Sequence, residues 1–211
     1  MKRVSHWGVV VETIRSRLQS WKAKTLSMGG RLTLIKSVLS SLPIYYLSLY
    51  KAPVAVIEQI ERIMRGFLWA GASEERRMHW VSWDVVTTTK KMGGVGVSKL
   101  SDVNVALLVT WAWRFKSDKD CLWRRVVETI HGGRDRWMFL PSKSSFPGCW
   151  KSIAPFLDRI RLQGKCVNLF IRGRLGNGDR VRFWKDVWFG SVPLMERWPQ
   201  LFGLEKKKIA W

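Results

Sequence analysis

Apolar residues recur along this chain at helical spacing for most of its length and at strand spacing near its end. Trp7, Val10, Ile14, Leu18 and Trp21 follow one another at three and four residues, which gathers them on one helical face and leaves Arg15, Arg17 and Lys22 largely off it. The Met28-Gly29-Gly30 turn is expected to stop that helix. A second helix is predicted from Arg31 or Leu32 through Leu42, with Leu32, Ile35, Val38 or Leu39, and Leu42 as its buried stripe. Pro43 must kink or end it, because proline lacks the amide and clashes with the preceding turn. Ile57, Ile60, Ile63 or Met64, and Phe67 mark a third helix, opened just after Pro53 and stopped at Gly71. Between Ala72 and Leu100 the periodicity weakens. Lys90-Lys91-Met92-Gly93-Gly94 reads there as a basic loop, Val95 to Val97 as a short extended segment, and the stretch as the best candidate hinge.

Asp102 is placed to cap a helix carrying Val103, Leu107, Trp111 and Arg114 along one side, flanked by Leu108 and Phe115. Further helices are expected over roughly Asp120 to Ile130, ended by Gly132-Gly133, and around Trp150, Ile153, Leu157 and Ile160, where Pro155 restricts the start. Arg134 to Gly148 reads as loop. The period then changes. Val167, Leu169 and Ile171 alternate, Gly176-Asn177-Gly178-Asp179 supplies turn chemistry, and Val181 and Phe183 resume the alternation, which is the pattern of a β-hairpin. In such a hairpin Arg172, Arg174, Arg180 and Arg182 gather opposite the apolar face and form a credible phosphate site. The fold class expected is mainly α: a helical bundle over 1–72, a second helical region over 73–165, and a small β-hairpin element over 166–211.

With 46% hydrophobic residues in 211, the chain can build one or two modest cores. Its 37 Lys and Arg against 16 Asp and Glu leave +21, a self-repulsion that a polyanion or a partner domain would relieve. A phosphate backbone is the simplest such partner. Cys121, Cys149 and Cys166 are odd in number and lack Cys-x-x-Cys spacing, which fits a reducing compartment better than a disulfide framework or a zinc ribbon. The longest apolar candidate, Ser37 to Tyr50, is too short to span a membrane and is interrupted by Pro43. No apolar h-region precedes Glu12, so no secretory signal is read. The chain opens on an amphipathic pattern and ends amid charge at Lys206 to Lys208, so both ends are expected to be cut from something larger.

Candidate chemistry is sparse. No adjacent Asp-Asp pair exists, and two-metal phosphoryl transfer needs carboxylates converging on ions about 4 Å apart. Asp118 and Asp120 come nearest, and helix capping explains them more simply. Cys121, His131, Cys149 and Cys166 have ligand chemistry but no chelating spacing, so neither a metal site nor a catalytic residue is assigned, and no cofactor is expected. Of fourteen tryptophans, Trp7, Trp21 and Trp111 fall on apolar faces, whereas Trp184 and Trp188, interleaved with Arg182, Lys185 and Asp186, are candidates for stacking on bases. Gly29-Gly30-Arg31 at a helix start offers amides to a phosphate or simply a tight turn. Arg31, Lys36, Lys90, Lys91, Arg172, Arg174, Arg180, Arg182, Trp184 and Lys185 are the nucleic-acid contacts expected.

Trp21 to Pro53 (WKAKTLSMGGRLTLIKSVLSSLPIYYLSLYKAP) and FLWAG at Phe67 to Gly71 closely resemble one family, the plant LINE-type (non-LTR) retroelement reverse transcriptases. VSWDVV from Val81, KKMGGVGV from Lys90, NVALLVTWAWRF from Asn104, and GNGDRVRFWKDVWFG with PLMERWPQLF extend the resemblance over most of the chain. Thr87 to Thr89 stand where the family commonly has Cys-x-Pro, and Thr110 where a lysine is usual. The resemblance implies a thumb-like bundle over 1–72, a post-thumb region, and a terminal element leading toward a zinc-binding module that the chain does not reach. It further implies that the catalytic palm lies upstream, that the parent is an RNA-directed DNA polymerase, and that it works in the nucleus. The chain is expected to bind RNA, an RNA–DNA hybrid or DNA beside that palm, without catalysis of its own, and with no membrane or small-molecule partner. The alternatives are a structural or degenerate remnant that supports the polymerase without binding nucleic acid, and a metal-dependent nuclease.

Overall fold

A computed structural model describes residues 4–20, 26–70, 80–118, 120–132, 140–143, 145–146, 148–162, 164–167, 181–190 and 192–204. They are mainly α-helical, and they divide into two compact units, Met1–Leu108 and Val109–Trp211.

The first unit is built on the amphipathic helix α4 (Val54–Ala70), which opens after Pro53 and buries Val56, Ile60, Met64 and Phe67 along one face. Helix α1 (Gly8–Ser20), led in by a 3-10 turn over Val4–Trp7, packs Trp7, Val10, Val11 and Ile14 into the same core. At roughly 1.5 to 3 kcal/mol for each large apolar side chain removed from water, this cluster dominates the unit's stability. Trp21 and Gly71 lie outside the described residues.

Met28-Gly29-Gly30 is no helix stop. Ser27 takes an extended conformation and its hydroxyl accepts the Gly30 amide at 3.2 Å, so the glycines form the first turn of α2 (Met28–Leu34). The helix then widens into a π turn over Ile35–Leu39, where the Ser40 amide reaches back five residues to the Ile35 carbonyl. Pro43 withdraws the amide that a continuing α-helix would need, and α3 (Ile44–Leu49) starts directly after it.

Asp102 likewise does not cap the next helix. Helix α6 (Leu100–Ser117) begins two residues earlier, because the buried Glu61 of α4 accepts the Leu100 amide at 2.9 Å and brings negative charge to the helix start. That start sets the helical phase. Leu100, Asn104, Leu108, Ala112 and Phe115 are buried, while Val103, Leu107 and Trp111 lie on the half-buried flank. Asn104, only 3% exposed, donates to the Leu47 and Tyr50 carbonyls at 2.6 and 2.9 Å and accepts from the Ala52 amide at 3.0 Å. One amide group thus closes the chain reversal between α3 and α4.

The second unit contains α7 (Leu122–His131), ended by Gly132 at φ 68°, and α8 (Trp150–Arg159), which buries Trp150, Ile153, Ala154 and Leu157. Trp111, Phe115, Trp123 and Trp150 form its aromatic cluster, with centroids 5.3 to 6.1 Å apart. A two-residue antiparallel ladder pairs β1 (Arg161–Leu162) with β2 (Lys165–Cys166). The hairpin expected over 167–183 falls largely outside the described residues, and its described end is not strand. Phe183 enters a turn, because the buried Asp186 carboxylate accepts the Arg182 amide at 2.8 Å and the Trp188 indole donates to the Phe183 carbonyl at 2.7 Å. Two short helices follow, α9 (Leu194–Arg197) and α10 (Pro199–Leu204), with no counterpart among the expected elements.

Candidate nucleic-acid interface

In the first unit the basic candidates converge on the segment 80–97. Helix α5 (Trp83–Val86) is capped by Ser82, and the Val95 amide bonds back to the Val86 carbonyl. Between them a 3-10 turn over Lys90–Met92 holds Lys90 and Lys91 exposed, and it is closed by Gly93 at φ 87°. Gly94 then passes so close to Thr88 that a Cβ there would sit 2.0 Å from the Thr88 carbonyl oxygen. Lys36, carried on the π turn, donates its ammonium to the Val95 carbonyl. A Cβ added at Gly96 would meet Lys90 side-chain carbons at 3.3 and 3.4 Å and the Lys36 ammonium at 3.6 Å, so these two lysine side chains, 54 positions apart in sequence, flank one glycine. Two lysine side chains against a bare backbone, with Lys91 exposed beside them, bring positive charge to this turn, as a phosphate contact requires.

Arg31 is differently engaged. Its Nη1 donates to the Leu68 carbonyl at 3.3 Å, one of the end carbonyls of α4 that have no partner within the helix. The helix end therefore holds part of the guanidinium expected to meet phosphate. The Gly30 amide is similarly taken by Ser27. A mixed-charge cleft of about 450 Å³ opens between α4 and α5, lined by Glu58, Glu61, Arg62, Arg65, Asp84 and Lys99. Lys99 donates to Asp84 at 2.9 Å, and this bond, reinforced by the carboxylate's charge, raises its pKa above the usual lysine value.

In the second unit Arg182 is half-buried, Trp184 packs edge-on against Phe183 and 5.7 Å from Phe202, and Lys185 is exposed on the same turn. Arg172, Arg174 and Arg180 lie outside the described residues. Asp118 pairs with Arg114 of the preceding helical turn at 3.4 Å, so it follows α6 instead of capping α7. Cys121 and Cys149 are free thiols, and the His131 Nδ1 accepts the Lys143 amide at 3.1 Å. Among the described residues no group of three or more His, Cys, Asp or Glu could hold a metal ion, and no helix is long and apolar enough to cross a membrane.

Sequence reasoning missed Asn104, Glu61 and the paired glycines. Asn104 had left a signal, as a lone amide in an apolar helical stripe. Gly94 and Gly96 had not, since their contacts link the backbone to residues distant in sequence.

No protein-family model matches the chain, and no solved structure matches it significantly. It is 36% identical over 193 residues to a candidate ribonuclease H protein of Arabidopsis thaliana, a match covering 90% of this chain but 30% of that protein. It is 24% identical over 152 residues to an uncharacterized mitochondrial protein of the same plant, covering 70% of this chain and 92% of the relative. A third match, 38% identical over 143 residues, is to an uncharacterized 149 kDa protein of transposon TX1 from Xenopus laevis, and takes in 64% of this chain and 10% of that protein. The chain thus spans under a third of the first and third relatives. Taken together, these relatives support a transposable-element origin.

Proposed function

We propose that this chain is a nucleic-acid-gripping segment of a retroelement reverse transcriptase, drawn from its thumb and the region after it. In this reading it holds template RNA or its hybrid with new DNA near a palm supplied by another part of the same polyprotein, in the nucleus, and performs no chemistry itself. The observation that carries the reading is the meeting of Lys36 and Lys90 over Gly96, in a chain of net charge +21. Cations held against bare backbone favour phosphate contact over base readout, so binding depends little on sequence.

Lys36→Gln/Lys90→Gln/Lys91→Gln tests it. The triple variant is expected to weaken binding of a 20-mer RNA and to lower the slope of log K against log[salt] by about 2 to 3, with the helical circular dichroism unchanged. An unaltered slope would move the contact elsewhere.

One observation favours a second reading, in which the segment docks on protein. Trp80, Val85 and Met92 are exposed on the same 80–97 stretch, Trp80 at 80%. A supporting role beside the palm would use that apolar surface and leave nucleic-acid affinity untouched by the lysine changes. The ribonuclease H name of one relative is a weaker pointer toward an enzyme, since most of that protein lies outside the match.

A further inference from the structure

The segment 181–204 carries a continuous run of ring contacts. Phe202 lies 5.7 Å from Trp184, Trp184 5.1 Å from Phe183, Phe183 5.3 Å from Trp188, and Trp188 6.1 Å from Phe189. Arg197 completes it, with its guanidinium 5.6 Å from the Phe189 ring centre and 5.0 Å from that of Trp198. Cores also contain such ladders, but this one ends in the open. Phe183 is 51% exposed, Phe189 52% and Trp198 39%, and Arg197 is exposed between the last two. Among the described residues no carboxylate pairs with Arg197.

The segment beneath is anchored. Val187 and Leu194 are buried, the Met195 amide bonds to the Trp184 carbonyl, and Asp186 fixes the turn through the Arg182 amide. Gly190, at φ 75°, lets the chain pass the guanidinium, since a Cβ there would stand 3.0 Å from Arg197 Nη1. Exposed rings with a planar cation between them match what an unpaired base requires: a π face to stack on, and positive charge for the adjoining phosphate. A base-paired duplex hides those faces. Arg182 and Lys185 add charge along the same short segment, so the chemistry favours a polyanion that carries bases over an apolar polypeptide.

We infer that residues 181–190 and 192–204 form a stacking platform for the bases of single-stranded nucleic acid, with Phe189, Arg197 and Trp198 as its outer face. The inference rests on the gripping role proposed above and adds a preference for unpaired bases.

The test compares a fluorescein-labelled 15-mer of deoxythymidine with an abasic 15-mer of equal charge, using the full chain. The unaltered chain is expected to bind the base-bearing strand about tenfold or more tighter. Phe189→Leu/Trp198→Leu should bring that ratio close to one while leaving affinity for the abasic strand within about twofold. Arg197→Lys, which keeps the charge and removes the planar face, should lower the ratio severalfold, and it serves as an independent variant should the double one fail to fold. Strong, salt-sensitive binding of both strands with a ratio near one in the unaltered chain would overturn the platform, leave the grip standing and assign the aromatic face to a polypeptide neighbour. Binding of neither strand by the folded chain would overturn the platform, and the grip with it if single-stranded RNA and an RNA–DNA hybrid also fail to bind.

Discussion

Asn104→Leu is expected to lower the unfolding free energy of the first unit by about 3 to 5 kcal/mol. The substitution keeps the apolar stripe of α6 continuous and the branch at Cγ, although leucine is the larger side chain and its extra volume adds to the cost. What it removes is one amide serving three backbone groups: the Leu47 and Tyr50 carbonyls and the Ala52 amide. Each buried group left without its partner costs about 1 to 3 kcal/mol, and the Tyr50 carbonyl, at the half-buried bond, lies at the low end. The midpoint of urea unfolding measures the effect. A loss below about 1 kcal/mol would mean that this reversal is held by apolar packing and not by the amide.

Gly94→Ala is expected to cost about 3 kcal/mol and to weaken nucleic-acid binding as well. The added Cβ would stand 2.0 Å from the Thr88 carbonyl oxygen and 2.4 Å from both its carbon and its hydroxyl. Backbone cannot step aside as a side-chain tip can, so the turn itself must move. It carries Lys90 and Lys91, and their placement moves with it. Gly93→Ala is the matched control. Gly93 needs its left-handed conformation at φ 87° but has nothing within 4 Å of the added carbon, so its cost is limited to about 1 to 2 kcal/mol. Hydrogen exchange of the Val95 amide, which bonds to Val86, should accelerate far more in the Gly94 variant. Equal exchange in the two variants would show that the close approach is not formed.

These two sites mark where sequence pattern stops. Helix α4 could be read directly from Ile60, Met64 and Phe67 after a proline that suits a helix start, although its buried face takes in Val56 and leaves the expected Ile57 half-buried; α1 and α8 followed from the same kind of repeat, and α7 from its glycine stop. Starts fixed by a distant side chain could not. Glu61 caps α6 from 39 positions away, and a local reading gave that role to Asp102 because Asp102 is near. The turn at Phe183 escaped likewise. Alternation suggested a strand, but Asp186 and Trp188 supply local hydrogen bonds that a strand ladder would have to displace. At the candidate site, the basic residues were visible as composition. The pairing of Lys36 with Lys90 was not, because it depends on a π turn and on Gly96 lacking a side chain.

The most direct measurement of the central claim is a salt titration of the purified, folded chain against single-stranded RNA, an RNA–DNA hybrid and duplex DNA. A grip on phosphates predicts that log K falls linearly with log[salt], by about 0.7 to 0.9 for each phosphate contacted, on whichever ligand it holds. Binding that stays constant from low to high salt, or a folded chain that binds none of the three, would contradict it.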